Sequence, residues 1–253
     1  MSPLWNYFDK IILMTIPTSQ RVPLARKQLA KMGIDNYKVK TFKPAQKKCN
    51  NGTGDITLLQ ILKHEVCDET CQNIAQNHFS IIEQAYNDNV QNLLIMEDDI
   101  TFEQIDHDRL YKTILWLSNN NWDIFYFGYC SWPILCSIPI TLQIVRVFTP
   151  LTTVCYALNR QGMEKILKEK EYYQQQHIDK FYTNKKLIKY ALFPAIAFQS
   201  TAPGLYKKAM KKLGLNISFT TLSKILEVMS ILVFVILILV IIFIIYKIKN
   251  LYK

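Results

Sequence analysis

Three consecutive carboxylates, Glu97, Asp98 and Asp99, are the residues of this 253-residue chain whose types and spacing could do chemistry. Adjacent acids repel one another and cannot leave water together unless positive charge sits among them. A hard divalent cation held by oxygen ligands is the simplest source of that charge. Magnesium and manganese keep positions open that substrate phosphates fill, so the minimal reading is a site for Mn2+ or Mg2+ with a diphosphate. The acids follow Leu93, Leu94, Ile95 and Met96, a short apolar run between polar residues, which is how a strand buried on both faces of a sheet reads. Open α/β sheets place their ligands at the carboxyl ends of such strands. A solvated strand-to-loop exit gives the same local pattern.

The rest of the chain supplies the elements that would hold this strand. Lys10 to Ile16 predicts a first buried strand, Val22 to Met32 a helix closed by Gly33, and Asn36 to Phe42 an alternating second strand. Strand, helix and strand in so few residues make a βαβ unit with a parallel pair. After a polar loop from Lys43 to Gly54, Asp55 to Asn87 reads as helix, with Ile74, His78, Ile81, Ile82 and Ala85 as its apolar stripe. Asp106 to Leu117 reads as helix and Asp123 to Tyr129 as strand; Thr152 to Leu158 is a further strand, and Asn159 caps a helix after it. The expectation is α/β, one domain with a mostly parallel central sheet spanning residues 1–204.

The net charge of +10 is local. Between Leu205 and Lys253 eight lysines stand against Glu227 alone, so seven of the ten net positive charges lie there. The nearly balanced head removes the main support for a nucleic-acid partner. Residues 205–227 read as a basic juxtamembrane linker suited to anionic headgroups. Val228 to Tyr246 carries no charge and, at 1.5 Å per residue, reaches about 28 Å, the hydrocarbon thickness of a bilayer. It is predicted to be a transmembrane helix, with 247–253 as a short basic tail. Ile11 to Ile16 is too short for a secretory h-region, so the expectation is a tail anchor with a cytosolic head and free cysteines. Lysines on both sides of the helix leave orientation open. No histidines and cysteines have zinc spacing.

Taken in order, the motifs resemble the family 25 glycosyltransferases, the group of lipooligosaccharide and collagen galactosyltransferases. The matching pieces are an opening strand with an arginine-containing loop and a helix ending in Gly33-Ile34; a helix bearing His78; the strand ending in Glu97-Asp98-Asp99; Trp122 to Gly128; Thr152 to Leu167; His177-Ile178-Asp179; and Phe193 to Gln199. The resemblance implies a nucleotide-sugar-binding domain of the glycosyltransferase-A type that uses a UDP-sugar, galactose or glucose being the candidates. The acceptor would be a hydroxyl of a protein, lipid or glycan. It further implies Asp99 as principal metal ligand, with Asp98 and Glu97 ligating through water or touching the ribose. Asp179 would be the base of an inverting transfer, and Arg21 and Arg26 would hold donor phosphates. The chain departs from the family at Thr15-Ile16-Pro17, where Asn-Leu is common, and at Asn77-His78, where Ser-His is favoured. Two other classes fit the acids: a tethered binding or scaffold protein of the same fold, and a metal phosphohydrolase, for which the four histidines show no ligand-like pairing. A composition rich in Lys, Ile, Asn and Tyr and poor in Gly suits a large DNA virus or an AT-rich microbe.

Overall fold

The computed structural model describes residues 3–42, 69–103, 106–131, 137–169, 178–184, 186–200, 214 and 216–251. Lys10–Thr15 is β1, Val22–Lys31 is α1 and Lys38–Thr41 is β2. The βαβ unit forms as the pattern predicts, with β1 and β2 parallel and Ile12 opposite Lys38. Gly33 ends α1 in a left-handed conformation, φ 66°. The amides of Ile34 and Gly33 return to the carbonyls of Leu29 and Ala30, the 6→1 and 5→2 pair of a Schellman cap.

The remaining strands are β3 (Asn92–Glu97), β4 (Ile100–Phe102), β5 (Ile124–Ser131), β6 (Ser137–Pro139), β7 (Ile144–Val147), β8 (Pro150–Asn159), β9 (Lys189–Leu192) and β10 (Ala197–Gln199). The other helices are α2 (Glu69–Asn87), α3 (His107–Asn119), α4 (Arg160–Leu167), α5 (Ile178–Asn184) and α6 (Phe219–Leu251). Eight strands form one sheet in the order β2-β1-β3-β8-β5-β9-β7-β6, and β4 pairs with β10 in a small second sheet. Six of the eight run the same way. β8 is reversed between β3 and β5, and β7 is reversed beside β9. The sheet is therefore mostly parallel by strand direction, with an antiparallel strand against the central one.

Both faces are covered, as the apolar β3 requires. One layer packs α2, α4 and α5 on Leu93, Ile95, Tyr126 and Tyr156. The opposite layer packs α1, α3 and the N-terminal 3-10 helix Pro3–Tyr7 on Leu94, Met96, Phe125 and Phe127. Asp106 and Asn159 cap α3 and α4, accepting from the amides of Arg109 at 2.6 Å and Gly162 at 2.7 Å. The stripe expected on α2 forms at His78, Ile81, Ile82 and Ala85, which are buried together with Ala75 and Phe79; Ile74 alone is exposed. The first part of that predicted helix, 55–68, and the loop 43–54 lie outside the described residues.

Among the described residues one helix, α6, is long and apolar enough to cross a membrane. Its 33 residues span about 50 Å, more than a bilayer core needs. It begins at Phe219, inside the stretch read from sequence as linker, and its first turns pack on the head. Ser223, Leu226, Glu227 and Ser230 are buried, and Glu227 accepts from the Ala195 amide at 3.1 Å. From Val235 onward the apolar side chains are exposed on every side of the helix. Residues 205–213 are not among those described. Cys130 and Cys155 are free and buried, and burial pushes the Cys130 thiol up to about 12. Cys67 and the side chain of Cys71 fall outside the described set.

Candidate functional site

β3 delivers its last residue, Glu97, to the carboxyl edge of the sheet, and Asp98 and Asp99 form the turn into β4. β4 is fixed by β10, with Ile100 opposite Gln199, and the Ser200 amide reaches the Asp99 carbonyl at 2.6 Å. β10 lies so close over β5 that a Cβ at Gly128 would meet the Ala197 carbonyl oxygen at 2.2 Å. That contact explains why Trp122 to Gly128 ends in glycine: any side chain there would lift β10, and Gln199 with it.

Strand alternation sends the acids to opposite faces. Ile95 packs with α2 and α5 and Met96 with α1 and α3, so Glu97 falls on the first side and Asp98 on the second. Asp98, 5% exposed, accepts from the Thr15 hydroxyl and pairs with Arg21 Nη2 at 2.7 Å. Arg21 Nη1 stands 3.9 Å from Asp99 Oδ2, so one guanidinium serves both aspartates. Arg21 is placed by the turn after β1, where its amide donates to Ser19 Oγ, and by Pro23, which starts α1. No side chain caps α1, whose first amides therefore open on this edge.

On the opposite face Glu97 Oε1 accepts from Thr153 Oγ1 at 2.6 Å and lies 3.5 Å from His78 Nε2; Oε2 lies 3.5 Å from Gln199 Nε2. His78 is fully buried. Its Nδ1 meets the Tyr156 hydroxyl at 2.8 Å, which meets that of Tyr182 at 2.9 Å. Burial works against charge on Glu97, yet the bonds from His78, Thr153 and Gln199 outweigh it and hold the carboxyl below its ordinary value. Burial raises the Tyr156 and Tyr182 phenols, which stay neutral donors.

Asp179, on the first turn of α5, accepts from the Thr152 amide at 3.1 Å. Thr152 holds φ 76°, a conformation that costs a β-branched residue. Asp179 and Glu97 are thus bound by consecutive residues of β8. Of the predicted site residues, the structure brings Arg21, Asp98 and Asp99 together. It turns Glu97 away from them and leaves Arg26 on the exposed side of α1, with no ion pair to the acids among the described residues. His177 lies outside the described residues. Thr15, Thr153, Tyr156 and Tyr182 were not singled out from sequence. The alternation after Ile95 was the one signal that could have separated Glu97 from Asp98.

Among the described residues no three or more His, Cys, Asp or Glu side chains gather as a metal site. Asp98 and Asp99 fit one edge of a hard cation's shell, and Glu97 does not join them. The other ligands would have to be phosphate oxygens and water.

No family model matches the chain, and no curated protein matches it in sequence. Among solved structures it is similar to A197 from STIV, at 15% identity and TM-score 0.47 over 76% of this chain and 86% of that one. A glycosyltransferase involved in glycosylation of the major capsid of PBCV-1 matches at 14% identity and TM-score 0.31 over 63% of this chain and 64% of that one. A nucleoside-diphosphate-sugar pyrophosphorylase from Vibrio cholerae RC9 matches at 12% identity and TM-score 0.38 over 83% and 84%. Likenesses this distant assign neither an activity nor a substrate to this chain.

Proposed function

We propose that the chain is a glycosyltransferase of the family 25 type. It takes a sugar, galactose or glucose, from a UDP-sugar and gives it to an acceptor hydroxyl at a membrane surface, anchored there by α6. The observation that carries this reading is the cluster of Arg21, Asp98 and Asp99 at the carboxyl ends of β1 and β3. A guanidinium beside two carboxylates and an uncapped helix start offers the mix of charge that a diphosphate and a divalent cation would share. Asp98 and Asp99 would hold Mn2+ or Mg2+, which when bound neutralises the departing diphosphate. Arg21 exchanges its aspartates for donor phosphate oxygens. Asp179, oriented by the Thr152 amide, takes the proton from the acceptor hydroxyl as it attacks the anomeric carbon opposite the departing diphosphate.

One observation favours the scaffold reading. Asp98 is already satisfied by Arg21 and Thr15, as a retired site would be. Isothermal titration of UDP- and GDP-sugars into the full chain in detergent micelles, with and without manganese, separates the two. The full chain is needed because α6 from Ser223 to Ser230 is part of the head's packing. Manganese-dependent binding that disappears in Asp99→Ala supports the transferase. A folded protein that binds none of them is the scaffold.

A further inference from the structure

The division of the acids between two faces has its own chemistry on the Glu97 side. Glu97 Oε1 is occupied by Thr153 and approached by His78 Nε2, which makes no other bond among the described residues although His78 is 0% exposed. Among the described residues Oε2 has only the long contact to Gln199 Nε2, at the outer limit of a hydrogen bond. Gln199 Oε1 is buried with no hydrogen-bond partner among the described residues. A carboxylate offers about four lone-pair positions and an amide oxygen two, so this corner holds acceptors that its own donors leave unused. Glu97 keeps 19% of its side-chain surface open, and a ligand reaches the Gln199 oxygen as well once that buried amide turns outward.

We infer that the end of β3 divides the site, and that Glu97 and Gln199 form a subsite on the α2/α5 side that binds the hydroxyl groups of a sugar or similar polyol. A ligand for this corner must donate to Glu97 Oε2 and Gln199 Oε1 while tolerating the Gln199 amide N–H. Hydroxyls do all of this, because each both donates and accepts. A cation would compete with donors already aimed at Glu97. Thr153 and His78 are positioning residues: they hold Glu97 to one side and touch no ligand. Asp179, on α5, is held by Thr152, the neighbour of Thr153 in β8. On the transferase reading this subsite takes the acceptor, and the Arg21 side takes the donor.

The test uses the full chain in nanodiscs and two independent probes. Saturation-transfer NMR with methyl glycosides of glucose, galactose, mannose, xylose and fucose reads the polyol subsite, and titration with UDP plus manganese reads the donor side. The glycoside signal should fall at least about five-fold in Glu97→Gln and Gln199→Ala and persist in Asp98→Asn, as expected where buried polar groups read hydroxyls. UDP–manganese affinity should drop about ten-fold in Asp98→Asn and stay within about two-fold in Glu97→Gln. Thr153→Val should lose the glycoside signal and Thr153→Ser restore it, with circular dichroism unchanged in both. Equal loss of UDP–manganese binding in Glu97→Gln and Asp98→Asn would overturn the division. So would a folded wild type that is silent to every glycoside. Glycoside binding that depends on Glu97, without any nucleotide binding, would uphold the subsite and refute the transferase reading.

Discussion

The two sides of the sheet at the end of β3 solve one problem, a carboxylate leaving water, in opposite ways. On the α1 side Asp98 is neutralised by an arginine that remains 41% exposed and also reaches Asp99. On the α2/α5 side Glu97 is held by fully or nearly buried groups, His78 and Thr153, with Tyr156 and Tyr182 behind them. An exposed guanidinium can change partners at little cost. A buried chain of hydrogen bonds cannot, because each vacancy leaves a dry polar atom. The first side is built for exchange and the second for holding a fixed geometry.

The largest expected effect follows from that contrast. His78→Leu leaves the Tyr156 hydroxyl and one Glu97 oxygen short of a buried partner, at about 1–3 kcal/mol each, so the full chain in micelles should lose about 3 kcal/mol by urea midpoint. A loss under about 1 kcal/mol would show that the buried side is no more rigid than the other and would erase the comparison.

A second measurement uses pH. Lys189 donates to the carbonyls of Tyr182 and Thr183 and so ties the end of α5, which carries Asp179, to β9. Burial lowers its pKa from 10.5 to about 8. Between those values the unfolded chain holds a proton that the folded chain has lost, so this group makes stability rise with pH. The cost is fully present below about pH 8 and is relieved toward 10.5, by up to about 3 kcal/mol at roughly 1.4 kcal/mol per unit. Buried tyrosines with raised pKa oppose the trend near pH 10, so the comparison is with Lys189→Met between pH 8 and 9.5. The wild type should gain stability across that window relative to the variant; parallel curves would rule the burial cost out.

On the open side Arg21→Met removes a partner of Asp98. A fully buried pair would cost several kcal/mol, but exposure of the arginine reduces this to about 1–2 kcal/mol. Added salt should shrink the difference, because the wild-type pair is screened and the variant has none. A salt-independent loss would mean that Arg21 acts by packing alone.

Much of this arrangement was legible where local chemistry dictates it. The run Leu93 to Met96, Gly33 after α1, and the cap Asn159 declare themselves, because each satisfies a backbone or burial requirement within a few residues. The reversed β8 was not legible, since strand direction depends on connections that leave no local mark. Tyr156 and Tyr182 read as core aromatics, and only the fold brings them to His78, 78 and 104 positions from it in sequence. Treating the three acids as one cluster overlooked the period of two that separates Glu97 from Asp98. The early start of α6 was hidden because Ser223 and Glu227 read as polar linker until the head is there to bury them.

The smallest expected effect is the most specific to the Glu97 side. Thr152 pays for its φ of 76° with strain, and the amide so placed is the one that Asp179 accepts. Thr152→Gly removes the Cβ penalty at a position where glycine is at home but adds freedom to the unfolded chain. The two nearly offset, leaving a net gain of about 0.5 kcal/mol. On the transferase reading, with the strain serving to aim Asp179, the same variant should lower transfer activity while stability holds or rises, since the amide is then free to turn. A variant that is less stable would show that Thr152 contributes through its side chain, and the conformation would lose its link to Asp179.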